Sequence, residues 1–161
     1  MRSAVALDRW PVSFGTAKAA PSPCNGSCGR VLVQLSPRIL LVEDSADLQE
    51  MWQYWLTWCG FRVNAAADGV EALRLAAARR PDLVLMDLWL PIMDGIEAIT
   101  HLRARASTAT VPIIALTANP SVTTEARARA SGCDYFVSKP ITPDELLAVI
   151  RTAFSSRKRL R

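Results

Sequence analysis

The stretch Asp82-Leu-Val-Leu-Met-Asp-Leu-Trp-Leu-Pro-Ile-Met-Asp-Gly95 holds the pattern on which the fold turns. Its opening run, Leu83–Met86, is short, continuously apolar and rich in strand-forming side chains, as a strand buried on both faces should be. An acidic residue, Asp87, follows at once.

The same pattern recurs on both sides. Ile39–Val42 and Ile113–Leu116 are equally short apolar runs, and Arg62–Ala66 and Tyr135–Val137 are weaker strand candidates. Helical stretches lie between them. In the first, Leu48, Met51, Trp52, Trp55, Leu56 and Cys59 repeat at offsets of three and four, a stripe for packing on a sheet, with Gly60 as the stop signal. Gly69–Arg80 ends before Pro81, and Gly95–Arg105 ends in a Ser/Thr turn. The segment near Val122–Ala130 has few apolar residues. The last helix opens with Thr142-Pro143-Asp144-Glu145, a cap followed by a proline and a carboxylate, after which Leu146, Val149, Ile150, Ala153 and Phe154 face inward. Strand and helix alternate five times. Right-handed crossovers then predict a five-stranded parallel sheet covered by helices on both faces.

Such sheets collect their active groups at the carboxyl ends of the strands. The first strand ends in Glu43-Asp44, the third in Asp87 and the fourth in Thr117, and the fifth is followed by Lys139-Pro140. Any one of these alone reads as a turn or a helix cap. Their arrival together at one end of successive strands points to chemistry. Three crowded carboxylates repel one another, and Mg2+ removes that repulsion while keeping several waters. Lys139 suits a phosphoryl oxygen as a point charge, and Thr117 suits another as a hydrogen-bond donor. Asp87 is the candidate nucleophile, forming an acyl phosphate.

Composition bounds this reading. The chain has 161 residues, of which 50% are hydrophobic and 21% charged, enough for one domain with a proper core. The net charge of +4 conceals an acidic body: residues 1–35 carry +3, residues 36–150 carry −4 and residues 151–161 carry +5. The expected organisation is a disordered extension over 1–35, a folded body over 36–155 and a basic tail over 156–161. No apolar run spans a bilayer, and Asp8, Arg9 and Pro11 interrupt any leader-like stretch, so a cytoplasmic location is expected. Cys24 and Cys28 lack two further ligands for a zinc site; Cys59 and Cys133 are expected as reduced, packed thiols. His101, mid-helix, reads as solvated or packed, and the tail reads as solvated rather than as a nucleic-acid or membrane contact.

Four stretches, Ile39-Leu-Leu-Val-Glu-Asp44, Asp82 to Gly95, Ile113-Ile-Ala-Leu-Thr-Ala118 and Tyr135-Phe-Val-Ser-Lys-Pro140, resemble the signatures of response-regulator receiver domains. The resemblance covers roughly residues 36–155 and is closest in kind to single-domain, chemotaxis-type regulators. It implies a flavodoxin-like, doubly wound sheet of order 2-1-3-4-5. It implies that Asp87 is the phosphoacceptor, that Asp44, Asp87 and the Trp89 carbonyl bind Mg2+, and that Glu43 binds it through water. It further implies a turn at Pro91 and Gly95, Thr117 as switch hydroxyl, Lys139 as phosphate-binding lysine and a cis Lys139–Pro140 peptide. The family's aromatic switch falls on Phe136, which has no hydroxyl; Tyr135 points to the other face of the strand. Trp89 and Asn119 flank the phosphate site and are expected to modulate water access.

The functional expectation is a single-domain response regulator of a two-component phosphorelay. A sensor histidine kinase or histidine phosphotransfer protein would supply the phosphoryl group, and an unknown protein target would read the face formed by the fourth helix, fifth strand and fifth helix. That face would also serve a weak homodimer. Direct DNA binding and membrane association are not expected, and catalysis is limited to the protein's own phosphorylation and dephosphorylation. The alternative is a receiver-like adaptor that is never phosphorylated. An aspartyl phosphatase would want a second acid two residues past the nucleophile, where Trp89 stands.

Overall fold

The computed structural model describes residues 36–158. Five strands and five helices alternate: β1 (Arg38–Val42), α1 (Ala46–Trp58), β2 (Arg62–Ala66), α2 (Gly69–Ala78), β3 (Leu83–Asp87), α3 (Gly95–Ala104), β4 (Ile113–Thr117), α4 (Val122–Ala130), β5 (Tyr135–Ser138) and α5 (Pro143–Lys158). The sheet is wholly parallel with order β2-β1-β3-β4-β5, the flavodoxin-like order. The expected extension over 1–35, with Cys24 and Cys28, lies outside the described residues, as do Arg159–Arg161 of the expected tail. Helix α5 runs on to Lys158, past the expected end of the body at residue 155.

Alternation along the buried strands builds two cores. Leu40, Val42, Val84, Met86, Ile113 and Ala115 face α2, α3 and α4 through Ala72, Leu73, Ala98, Ile99, Leu102 and Ala128. Ile39, Leu41, Leu83, Leu85, Ile114 and Leu116 face α1 and α5 through Trp52, Leu56, Leu146, Ile150 and Ala153. Each core excludes water from one side of the sheet, and burying one such aliphatic side chain is worth about 1.5–3 kcal/mol.

Helix ends follow local chemistry. Asp68, Asp94 and Ser121 cap α2, α3 and α4 by accepting the N–H of Glu71, Glu97 and Thr124. Thr142 and Glu145 bond reciprocally at the start of α5, and these bonds hold the Glu145 carboxyl below its usual pKa. Gly60, at φ +92°, ends α1 in a conformation that favours glycine. Helix α4 forms although only Ala128 is buried: its cap, its alanines and the Glu125–Arg129 ion pair favour the helix locally, and Ala128 anchors it on the core.

One expectation about α1 needs correcting. Trp52 and Leu56 are buried and Trp55 is partly packed, but Leu48 and Met51 stand 39% and 47% exposed. The first turns of α1 sit over the strand ends, where both side chains line an apolar cavity of about 440 Å³ with Leu116, Ala118, Pro140 and Ile141. Cys133 is buried and Cys59 half-buried, both free, with burial raising each thiol's pKa. His101 is solvated beside Glu97 at 3.8 Å.

Candidate functional site

Parallel topology brings the carboxyl ends of β1, β3, β4 and β5 to one edge, where an open cavity of about 560 Å³ is lined by Glu43, Asp44, Asp87, Trp89, Asn119 and Lys139, among others. The backbone holds these ends in register. Glu43 N–H donates to the Ala66 carbonyl, Leu88 N–H to Leu116 and Lys139 N–H to Thr117. Gly95 lies so close beneath the site that a Cβ there would sit 2.1 Å from the Asp87 carbonyl oxygen.

Glu43, Asp44 and Asp87 each bring a carboxylate oxygen within 4.8 Å of the other two. Glu43 and Asp87 are only 2% and 6% exposed, whereas Asp44 faces solvent. Lys139 Nζ donates to Glu43 Oε2 and to Asp87 Oδ2, each at 2.5 Å. The other Asp87 oxygen, Oδ1, accepts the Trp89 N–H at 2.9 Å. Burial alone depresses the Lys139 ammonium, but the hydrogen bonds and charges of Asp87 and Glu43 outweigh it and hold its pKa above the ordinary lysine value. Lys139 therefore stays charged as the counter-ion of two buried carboxylates.

The donor set fits a hard divalent cation. Three carboxylates, two of them buried and compensated by a single ammonium, form an oxygen-only site of the kind Mg2+ takes with its remaining positions filled by water. Of the residues expected at the site, Glu43, Asp44, Asp87, Trp89, Asn119 and Lys139 line the cavity. Thr117 does not: it is fully buried at the end of β4, and its Oγ1 accepts the Asn119 N–H at 3.2 Å. Phe136 pairs with Ala115, two residues down the strands from the Thr117–Ser138 pair, and packs half-buried against the α2–α4 core. Tyr135 lies on the opposite face, its hydroxyl 3.1 Å from Ser156 on α5. The Lys139–Pro140 peptide is cis, as the resemblance implied. Gln49 was not foreseen: its side chain bonds the carbonyls of Glu43 and Ala66, and a polar residue on a helix carries no sequence signal of such a role.

Comparison with known proteins agrees with this geometry. The chain is 36% identical over 122 residues to the transcriptional regulatory protein PrrA of Mycobacterium tuberculosis, covering 76% of this chain and 52% of PrrA. It is 40% identical over 114 residues to the response regulator MprA of a Mycobacterium species, covering 71% of this chain and 49% of MprA. The chain thus spans about half the length of these curated relatives. Among solved structures, the chemotaxis protein CheY4 of Vibrio cholerae superposes with a TM-score of 0.71 at 30% identity, covering 73% of this chain and 98% of that one. The receiver domain of a Pseudomonas aeruginosa sensor histidine kinase, described with a magnesium ion coordinated in its active site cleft, gives 0.70 at 36% identity, covering 74% and 98%. The response regulator receiver domain family matches residues 39–151, from β1 into α5, and the chain belongs to that family.

Proposed function

We propose that Asp87 is the phosphoacceptor of a two-component relay and that its phosphorylation, with Mg2+ bound, switches the binding of a protein partner. The observation that carries this reading is the cluster itself: three carboxylates within 4.8 Å of one another, with Lys139 shared between Asp87 and Glu43. In the proposed step an Asp87 carboxylate oxygen attacks the phosphorus of a phosphohistidine. A P–O bond forms, the P–N bond breaks, and the imidazole leaves as the neutral ring, keeping the proton already on its other nitrogen. Lys139, which bonds both carboxylates, would turn to a phosphoryl oxygen, and the Trp89 N–H would orient the acceptor carboxylate. Asp44, Asp87 and the Trp89 carbonyl are the proposed direct ligands of Mg2+, with Glu43 acting through water. When bound, Mg2+ supplies charge neutralisation for the acidic cluster and the incoming phosphoryl oxygens. The Asn119 contact uses Thr117 Oγ1 as an acceptor, so the hydroxyl hydrogen would be donated to a phosphoryl oxygen, with Phe136 responding by packing alone.

The proposed donor is a histidine kinase or phosphotransfer protein, and the proposed output is the α4–β5–α5 face, which could also pair two copies weakly. Nothing beyond the protein's own phosphorylation and dephosphorylation is proposed as catalysis. A single-domain regulator is in keeping with the near-complete coverage of CheY4; a receiver module within a longer regulator is in keeping with the half coverage of PrrA and MprA. The mass of the native protein in cells separates these two. Incubation with acetyl phosphate and Mg2+, followed by intact-mass measurement, tests the central reading. One phosphoryl group should appear on the wild type and none on Asp87→Asn; no gain on the wild type would favour the unphosphorylated adaptor.

A further inference from the structure

Among the helices, α1 starts differently. Asp68, Asp94 and Ser121 cap α2, α3 and α4 through their side chains, and Thr142 does so for α5, but Ser45 makes no side-chain cap bond at the start of α1. The junction between β1 and α1 is also where Glu43 and Asp44 reside. What ties it down comes from the second turn of the helix. Gln49 Nε2 donates to the Glu43 carbonyl at 2.9 Å and to the Ala66 carbonyl at 3.0 Å. The Glu43 N–H donates to that same Ala66 carbonyl at 3.1 Å.

Both backbone groups of Glu43 are thereby engaged. Its N–H is held by β2 and its C=O by α1, and the Gln49 amide closes the ring between them. Both acceptors are carbonyl oxygens, so the amide nitrogen must face them and its orientation is determined. Gln49 itself does not line the acidic cavity. It acts on the cluster through the backbone of the residue that carries one carboxylate and precedes the next.

From this we infer that Gln49 is a positioning residue for the Glu43–Asp44 pair: its two donated hydrogen bonds hold the cation site in shape. Partners of this outer kind commonly alter metal affinity by tenfold or more when removed. The inference rests on the Mg2+ reading of the cluster given above.

The test is a Mg2+ titration of the folded protein by calorimetry, on wild type, Gln49→Met and Gln49→Asn, with circular dichroism confirming that each is folded. Met keeps the length of the side chain and removes the donors; Asn keeps the amide but is one methylene too short to reach both carbonyls. Gln49→Met should bind Mg2+ about tenfold more weakly, and Gln49→Asn should fall between it and the wild type. A purely structural role would lower the urea midpoint and leave the Mg2+ affinity of the folded variant unchanged, and that result overturns the inference. Should Gln49→Met not fold, an unchanged affinity in Gln49→Asn overturns it equally. A wild type that neither binds Mg2+ nor gains a phosphoryl group defeats the reading of the site itself, a different failure from a wild type that binds normally beside variants that bind just as well.

Discussion

Replacing Lys139 by Met removes the ammonium shared by Glu43 and Asp87 and keeps the stem that carries it. Nζ lies 2.5 Å from an oxygen of each carboxylate, and the three side chains are 16%, 3% and 8% exposed for Lys139, Glu43 and Asp87. Removing one partner of a buried ion pair costs about 3–5 kcal/mol, because the charge left behind is poorly solvated. The cavity lined by Asp87 and Lys139 is open to solvent, which places the expectation at the lower end, about 3 kcal/mol. For a domain of this size that corresponds to a fall in Tm of about 12 °C in EDTA. Mg2+ should recover much of the loss. The variant presents the cation with two carboxylates that no ammonium compensates, so its affinity should rise at least about tenfold, or about 1.4 kcal/mol. Urea unfolding in EDTA and in Mg2+, with the Mg2+ Kd from calorimetry, measures both quantities. A Lys139→Met protein as stable as wild type in EDTA, with the same Mg2+ affinity, would refute the account of Lys139 as an internal counter-ion.

Three further outcomes follow from the same structure. Because the folded pKa of Lys139 lies above its ordinary value, its stabilising charge is fully present below about pH 10.4 and is lost as pH rises through the folded value. The stability gap between wild type and Lys139→Met in EDTA should therefore narrow at alkaline pH, and a gap that stays constant from about pH 8 to about pH 11 contradicts this. Gly95→Ala would place a methyl group 2.1 Å from the Asp87 carbonyl oxygen and 2.8 Å from Leu88 Cα; we expect a loss of about 3 kcal/mol in urea unfolding, and a neutral result would show that the end of β3 can shift freely. Ile92, 84% exposed, holds φ at +67°, a conformation costly for a β-branched residue. Ile92→Asn should stabilise the fold by about 1 kcal/mol, measured as a higher urea midpoint with an unchanged m-value.

The division between what was legible in the sequence and what was not follows from distance along the chain. Leu83–Met86, Ile39–Val42 and Ile113–Leu116 announce themselves because a strand buried on both faces must be apolar throughout, a requirement met within a few consecutive residues. The gathering of Glu43, Asp44, Asp87 and Lys139 was equally open to reading, since parallel strands present their carboxyl ends to one edge. The cap of α5 was legible for the same local reason: Thr142 and Glu145 are three residues apart. The partners of the polar groups were not legible. Lys139 lies 96 residues from Glu43, and nothing in either neighbourhood specifies that one ammonium bridges two carboxylates. Leu48 and Met51 satisfy the helical period of a buried stripe, yet the position of α1 over the strand ends leaves them half open. Gln49 looks like any solvated residue of a helix until the ends of β1 and β2 are set beside it. Local sequence thus determined which segments form strands and helices and which strand ends bear acid, because propensity, periodicity and capping act over a few residues. Only the tertiary structure decided which donor meets which acceptor, because those contacts depend on how separately determined elements are brought together.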